Sequence, residues 1–79
     1  MENMITLKQG NIRIVIRKYE EGYLATVDSL DEDGDVEFGC SGNFSNDIQK
    51  AVWNAIDYFY YSFEETVDCA LIPMIKELK

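Results

Sequence analysis

The chain contains no histidine. That removes the side chain most often used as a general base near neutral pH and as a metal ligand. Basic residues are also scarce: seven Lys and Arg stand against fifteen Asp and Glu, giving a formal net charge of -8 and a sequence pI near 4.2. Such a surface repels nucleic acid and anionic membrane, and attracts basic proteins over roughly 8–10 Å at ordinary salt. No apolar run approaches the roughly 20 residues of a membrane span. The opening Met1-Glu2-Asn3-Met4 lacks the basic and apolar regions of a secretory signal, so the expected compartment is the cytoplasm. Cysteine is limited to Cys40 and Cys69, far apart and without a C-x-x-C pair. They read as small buried apolar side chains in a reducing compartment, with a disulfide between them as the lesser alternative.

These absences weigh against catalysis. Ser29, Ser41, Ser45 and Ser62 have no evident His or Lys partner to activate them, and Cys40 has no His to form a thiolate pair. Asp31-Glu32-Asp33-Gly34-Asp35 invites a calcium reading. Setting Gly34 at the sixth position of an EF-hand loop puts Ser29 first and Cys40 twelfth, where a bidentate glutamate is needed, and the signature fails. The expectation is a protein that is not an enzyme and uses no metal or cofactor.

What is present suits a folded domain. The 79 residues are 47% hydrophobic and 13% aromatic, enough for one small core spanning 1–79. Ile12, Ile14 and Ile16 alternate with Arg13, Val15 and Arg17 in the period-two pattern of a half-buried strand. Glu20-Glu21-Gly22 reads as a hairpin turn. Tyr23, Ala25 and Val27 form a second alternating run ending at Leu30, and Val36, Phe38 and Cys40 a third. Ile5–Leu7 offers a short fourth strand ahead of these.

The period changes after Gly42-Asn43-Phe44. Ser45 suits a helix N-cap and Asp47 the first turn. Ile48, Ala51, Val52, Ala55, Phe59 and Phe63 then share one face of a helix expected from Ser45 to about Phe63, with Phe59 and Phe63 as core. Val67, Leu71, Met74, Ile75 and Leu78 suggest a second amphipathic helix beginning near Glu64-Glu65 and kinked or restarted at Pro73; a strand from Cys69 to Ile72 is the rival reading. This order predicts an α+β domain: an antiparallel sheet of three strands, or four with Ile5–Leu7, with one long helix on one face and a short C-terminal helix. The other sheet face, with Arg13, Arg17, Thr26, Asp28 and Glu37, is expected to be solvated or open to a partner.

The residues Gly22-Tyr23-Leu24-Ala25-Thr26-Val27, then Phe38-Gly39-Cys40-Ser41-Gly42, then Ser45 to Ile56 with Ala51, Asn54, Ala55 and Ile56, resemble the partial RNase H-like domain of HicB antitoxins. The resemblance implies neutralisation of a small basic RNA-cleaving toxin. It departs from the family where a proline-flanked segment is replaced by Asp28-Ser29-Leu30-Asp31-Glu32, where Lys50 stands for a usual Glu, and in having no DNA-binding part. The metal-binding carboxylates of the parent architecture are not matched either: Asp28 and Glu37 read as scattered surface acids. At the level of class alone, a small acidic domain without catalytic motifs is similar to phage-encoded anti-CRISPR proteins, which act in the cytoplasm of a bacterial host.

Two features are candidates for partner binding. Asp28, Asp31, Glu32, Asp33, Asp35 and Glu37 place six carboxylates within ten residues, able to imitate phosphate spacing and steer onto Lys and Arg; Glu20 and Glu21 extend the set. A charged loop that serves only solubility is the bland alternative. The aromatic string on the long helix exceeds what one face buries; Trp53 is expected to be covered by the C-terminal segment, while Tyr58 and Tyr61 are available as short-range anchors. The leading expectation is an inhibitor that occludes a basic nucleic-acid-handling protein, either a CRISPR effector or an RNase toxin, without touching nucleic acid or membrane itself. The rival is a homo-oligomeric module, such as a homodimer, with the wide helix face as its seam.

Overall fold

A computed structural model of the chain describes residues 4–65, 67 and 70–78. Four strands, β1 (Met4–Gln9), β2 (Ile12–Tyr19), β3 (Gly22–Leu30) and β4 (Val36–Ser41), precede two helices, α1 (Ile48–Phe63) and α2 (Leu71–Lys76). The strands form one antiparallel sheet in the order β1-β2-β3-β4. The architecture is therefore α+β with four strands, the expected short first strand running the full length of Met4–Gln9.

The period-two runs set the two faces. Ile14 pairs with Leu7 on one side and Val27 on the other, and Val27 pairs with Cys40. Because side chains alternate across a strand, this row and its neighbours Ile12, Ile16 and Ala25 point the same way. They meet Ile48, Val52, Ala55, Ile56 and Phe59 of α1, together with Leu71 and Ile75 of α2, in one apolar cluster. Burying each large member contributes on the order of 1.5–3 kcal/mol. The opposite face carries the rows Thr6–Val15–Thr26–Ser41 and Lys8–Arg13–Asp28–Gly39.

The long helix differs from the sequence expectation at three points, two at its ends and one in its packing. The N-cap is Asp47, not Ser45: its backbone is extended and its Oδ1 accepts the Gln49 and Lys50 N–H groups at 2.9 and 3.4 Å. Ser45 is held instead in a backbone bridge to Tyr23, and its Oγ accepts the Asp47 N–H at 3.2 Å. At the other end Glu64 takes the left-handed conformation (φ 56°) and donates its N–H to Tyr60 O, so it closes α1 rather than starting a second helix. Phe63 lies at the margin of the core, not within it, half-exposed with its ring 4.6 Å from that of Phe38 and 5.4 Å from that of Phe59.

Pro73 does not kink a long helix. It is the third residue of α2, where its missing N–H would have had no acceptor within the helix. The strand alternative fails at Leu71 and Ile72, which are helical; Cys69, and with it any pairing to Cys40, lies outside the described residues. Gln49 fastens α2 to α1: its Nε2 donates to Ile75 O and Leu78 O at 2.5 and 2.9 Å. Trp53 packs half-buried against the core that Leu71 and Ile75 complete. Among the described residues, no helix is long and apolar enough to cross a membrane.

Candidate protein-binding site

The acidic run from Asp31 to Asp35 forms the tip of the β3–β4 hairpin, fully in solvent. Its shape comes from Asp31, whose Oδ1 accepts the N–H groups of both Asp33 and Asp35 at 2.9 Å. The backbone closes the same turn, with Asp31 N–H donating to Asp35 O and Gly34 N–H to Asp31 O. Gly34 sits at φ 86°, a conformation that glycine adopts without steric cost. The turn holds one carboxylate oxygen from each of Asp31, Asp33 and Asp35 within 4.8 Å of one another. Backbone donors partly offset the repulsion at Asp31; among the described residues nothing basic does so. Among the described residues, Arg13–Asp28 is the single ion pair.

That pair removes Asp28 from the candidate set. Asp28 is 8% exposed, and Arg13 Nη2 donates to its Oδ2 at 3.1 Å across the β2–β3 ladder. Gly39 on β4 provides the room for it: a Cβ there would press into the Asp28 carboxylate and lie 2.8 Å from Val27 O. Asp28 is thus a structural carboxylate on the open sheet face, not a free charge at a loop tip. Glu37 remains exposed. It is the extra residue of a bulge, between the pairs Ser29–Phe38 and Leu30–Val36.

The remaining acids do not form one patch. Glu20 and Glu21 occupy the β2–β3 turn, and the Asp31–Asp35 tip lies at the far end of β3. Nine strand residues separate the two poles by about 30 Å.

Tyr58 and Tyr61 lie together, and on neither pole. With Asn54 and Asp57 they occupy positions i, i+3, i+4 and i+7 of α1, one stripe along the flank away from the core. Asn43, from the β4–α1 loop, leans against this stripe and donates from Nδ2 to the Tyr58 hydroxyl at 3.0 Å. The five residues line a notch of about 300 Å³. The loop comes this close because of Gly42, where a Cβ would stand 2.5 Å from Ala55 N. Tyr61 is 80% exposed, and its ring contacts that of Tyr60 at 5.7 Å. Beyond Asn43 in the chain, Phe44 packs edge-on against Tyr19, next to Glu20.

No family model, curated protein or solved structure matches this chain. The chemistry of the surface must carry the functional reading.

Nothing in the sequence marks Asn43 or Asp57 as binding residues, and Asn54 stands out only within the family resemblance, although the i, i+3, i+4 and i+7 spacing of Asn54, Asp57, Tyr58 and Tyr61 is visible. The partner contributed by the loop is not. Cys40 is half-buried with Sγ 3.9 Å from Ala55 O, and its pKa is raised, first by burial and second by the Asp28 carboxylate. Both causes favour the thiol over the reactive thiolate, the reverse of what a nucleophilic cysteine needs.

Proposed function

We propose that this chain is a small inhibitory binding protein that occludes a basic, nucleic-acid-handling surface of another protein. The observation that carries this reading is the β3–β4 tip: one oxygen from each of three carboxylates within 4.8 Å of the others, on a hydrogen-bonded turn in solvent, with no basic side chain paired to them among the described residues. Clustered like charges cost folding energy and gain it back when a partner's Lys or Arg neutralises them. A surface built to hold phosphates supplies such cations at suitable spacing, and a domain bearing -8 overall is steered toward it. The inhibition is steric and electrostatic, with no bond made or broken.

The version we favour is a phage-encoded anti-CRISPR protein that sits on the nucleic-acid groove of a CRISPR effector. A HicB-like antitoxin covering the active face of an RNA-cleaving toxin is the same mechanism on a smaller basic partner. The deciding experiment measures inhibition of purified CRISPR effectors and of RNase toxins by the full chain. The chain is compared with a variant carrying Asp31→Asn, Glu32→Gln, Asp33→Asn and Asp35→Asn. The reading expects one enzyme class to be inhibited. Inhibition should weaken strongly between about 0.1 and 0.5 M salt, where the screening length falls from roughly 10 Å to a few Å. It should also be lost in the variant while the fold is kept. Turnover by the purified chain, direct binding to DNA or RNA, or a salt-indifferent homodimer with no basic partner would overturn it.

A further inference from the structure

We infer that the notch between the β4–α1 loop and α1 is a receptor for a single arginine side chain of a basic protein. The inference rests on a different surface from the hairpin tip and stands or fails separately from it.

The lining chemistry selects a planar cation. Asp57 supplies a carboxylate with no ion-pair partner among the described residues. Tyr58 and Tyr61 supply aromatic faces one helical turn apart, and a guanidinium stacks on such faces more readily than an ammonium. The Asn43–Tyr58 bond uses the amide nitrogen of Asn43, which leaves its Oδ1 as an acceptor at the rim; Asn54 adds a second amide. A carboxylate with the Asn43 amide oxygen beside it offers acceptors that match the fork of N–H donors of a guanidinium. An anionic ligand is disfavoured by Asp57 and by the charge of the whole chain. A volume of about 300 Å³ admits the arginine stem along with its head.

The position of the notch on rigid elements adds to the case. Four of its five residues sit on α1, and the fifth is held by a side-chain hydrogen bond and by the close approach at Gly42. Little backbone ordering is left to be done when a ligand enters, which favours binding of a small group. A tyrosine left 80% exposed on a helix flank, beside a second half-exposed tyrosine, is the kind of surface that becomes an interface anchor.

The test is an amide NMR titration of the full-length chain with N-acetyl-arginine amide, and with N-acetyl-lysine amide as the comparison. The expected result is saturable shifts confined to Asn43, Asn54, Asp57, Tyr58 and Tyr61, stronger for arginine than for lysine. Asp57→Asn, an exposed substitution that should leave the melting temperature unchanged, weakens arginine binding about tenfold. Tyr61→Ala weakens it as well and provides a second variant should the first be disturbed. Shifts at Asp31–Asp35 alone would overturn the inference and leave the proposed function standing. Equal response to arginine and lysine, no saturation, or unchanged affinity in both variants would also overturn it.

Discussion

Gly39 and Asp28 occupy one site between them: the missing side chain of the glycine on β4 is the space that the Asp28 carboxylate fills on β3. The glycine's φ is not positive, so the requirement is room and not backbone freedom. Gly39→Ala should therefore push the carboxylate off Arg13 or shift β4 from Val27, costing about 1–3 kcal/mol. Urea unfolding would show this as a lower midpoint at constant slope. A variant as stable as the parent would mean that the sheet opens at that pair without penalty.

Asp47 rather than Ser45 caps α1, and the two are separable by substitution. Asp47→Ala should cost about 1 kcal/mol, or a Tm lower by about 4–8 °C in a domain of this size. Ser45→Ala removes one exposed bond to Asp47 N–H and should cost less. Thermal melts followed by circular dichroism rank the two; the reverse order would contradict the capping geometry.

Gln49→Ala should loosen α2 before it affects the sheet. The two bonds from its Nε2 to Ile75 O and Leu78 O tie α1 to the C-terminal segment beside the apolar packing, and losing both leaves those carbonyl groups without that donor. The expected cost is about 1–2 kcal/mol. Hydrogen exchange should rise in Leu71–Lys76 while β2 and β3 keep their protection.

Cys40 gives a prediction with a sign. Its folded-state pKa lies above the unfolded value because burial, then the nearby Asp28 carboxylate, disfavours the thiolate. The folded state thus holds its proton where the unfolded state releases it. The contribution is fully present below the ordinary thiol pKa and fades as pH rises through that range toward the raised folded value. Stability should decline from about pH 9 upward in the parent chain and decline less in Cys40→Ala. Alkylation of the Cys40 peptide, followed by mass spectrometry at pH 8, should be slow until denaturant is added.

Asp31 shapes the hairpin tip as well as charging it. Asp31→Asn keeps the oxygen that accepts from Asp33 and Asp35, so it should melt at or above the parent temperature as repulsion falls. Asp31→Ala loses both bonds and should be less stable than Asp31→Asn by about 1 kcal/mol. A melt of the two side by side separates the charge of this residue from its geometry.

Much of the fold was legible because β2 alternates buried with more exposed positions and α1 buries one face. Ile12, Ile14 and Ile16 announce β2 by period two, and Ile48, Ala51, Val52, Ala55 and Phe59 announce α1 by the helical repeat. The errors arose where a distant residue decides a local outcome. Ser45 and Asp47 are equally good caps by type; the backbone bridge from Tyr23 to Ser45 selects between them. Asp28 looks like one more acid in an acidic run until Arg13 and Gly39, on two other strands, enclose it. The notch was half legible. Tyr58 and Tyr61 stood out by type, whereas Asn43 joins them only because Gly42 lets its loop rest on α1.

The packing of α2 beside β1 also bears on how the molecule is made. Leu7 enters the apolar cluster with Leu71 and Ile75, residues from opposite ends of the sequence. During synthesis the β2–β3–β4 meander and α1 can dock early, since their contacts are short in sequence. The side of the core next to β1 stays uncovered until the segment through Ile75 has left the ribosome. A nascent chain stalled before that point would expose Leu7 and its neighbours, so protection from proteolysis should arrive abruptly, once the segment through Ile75 is free to dock.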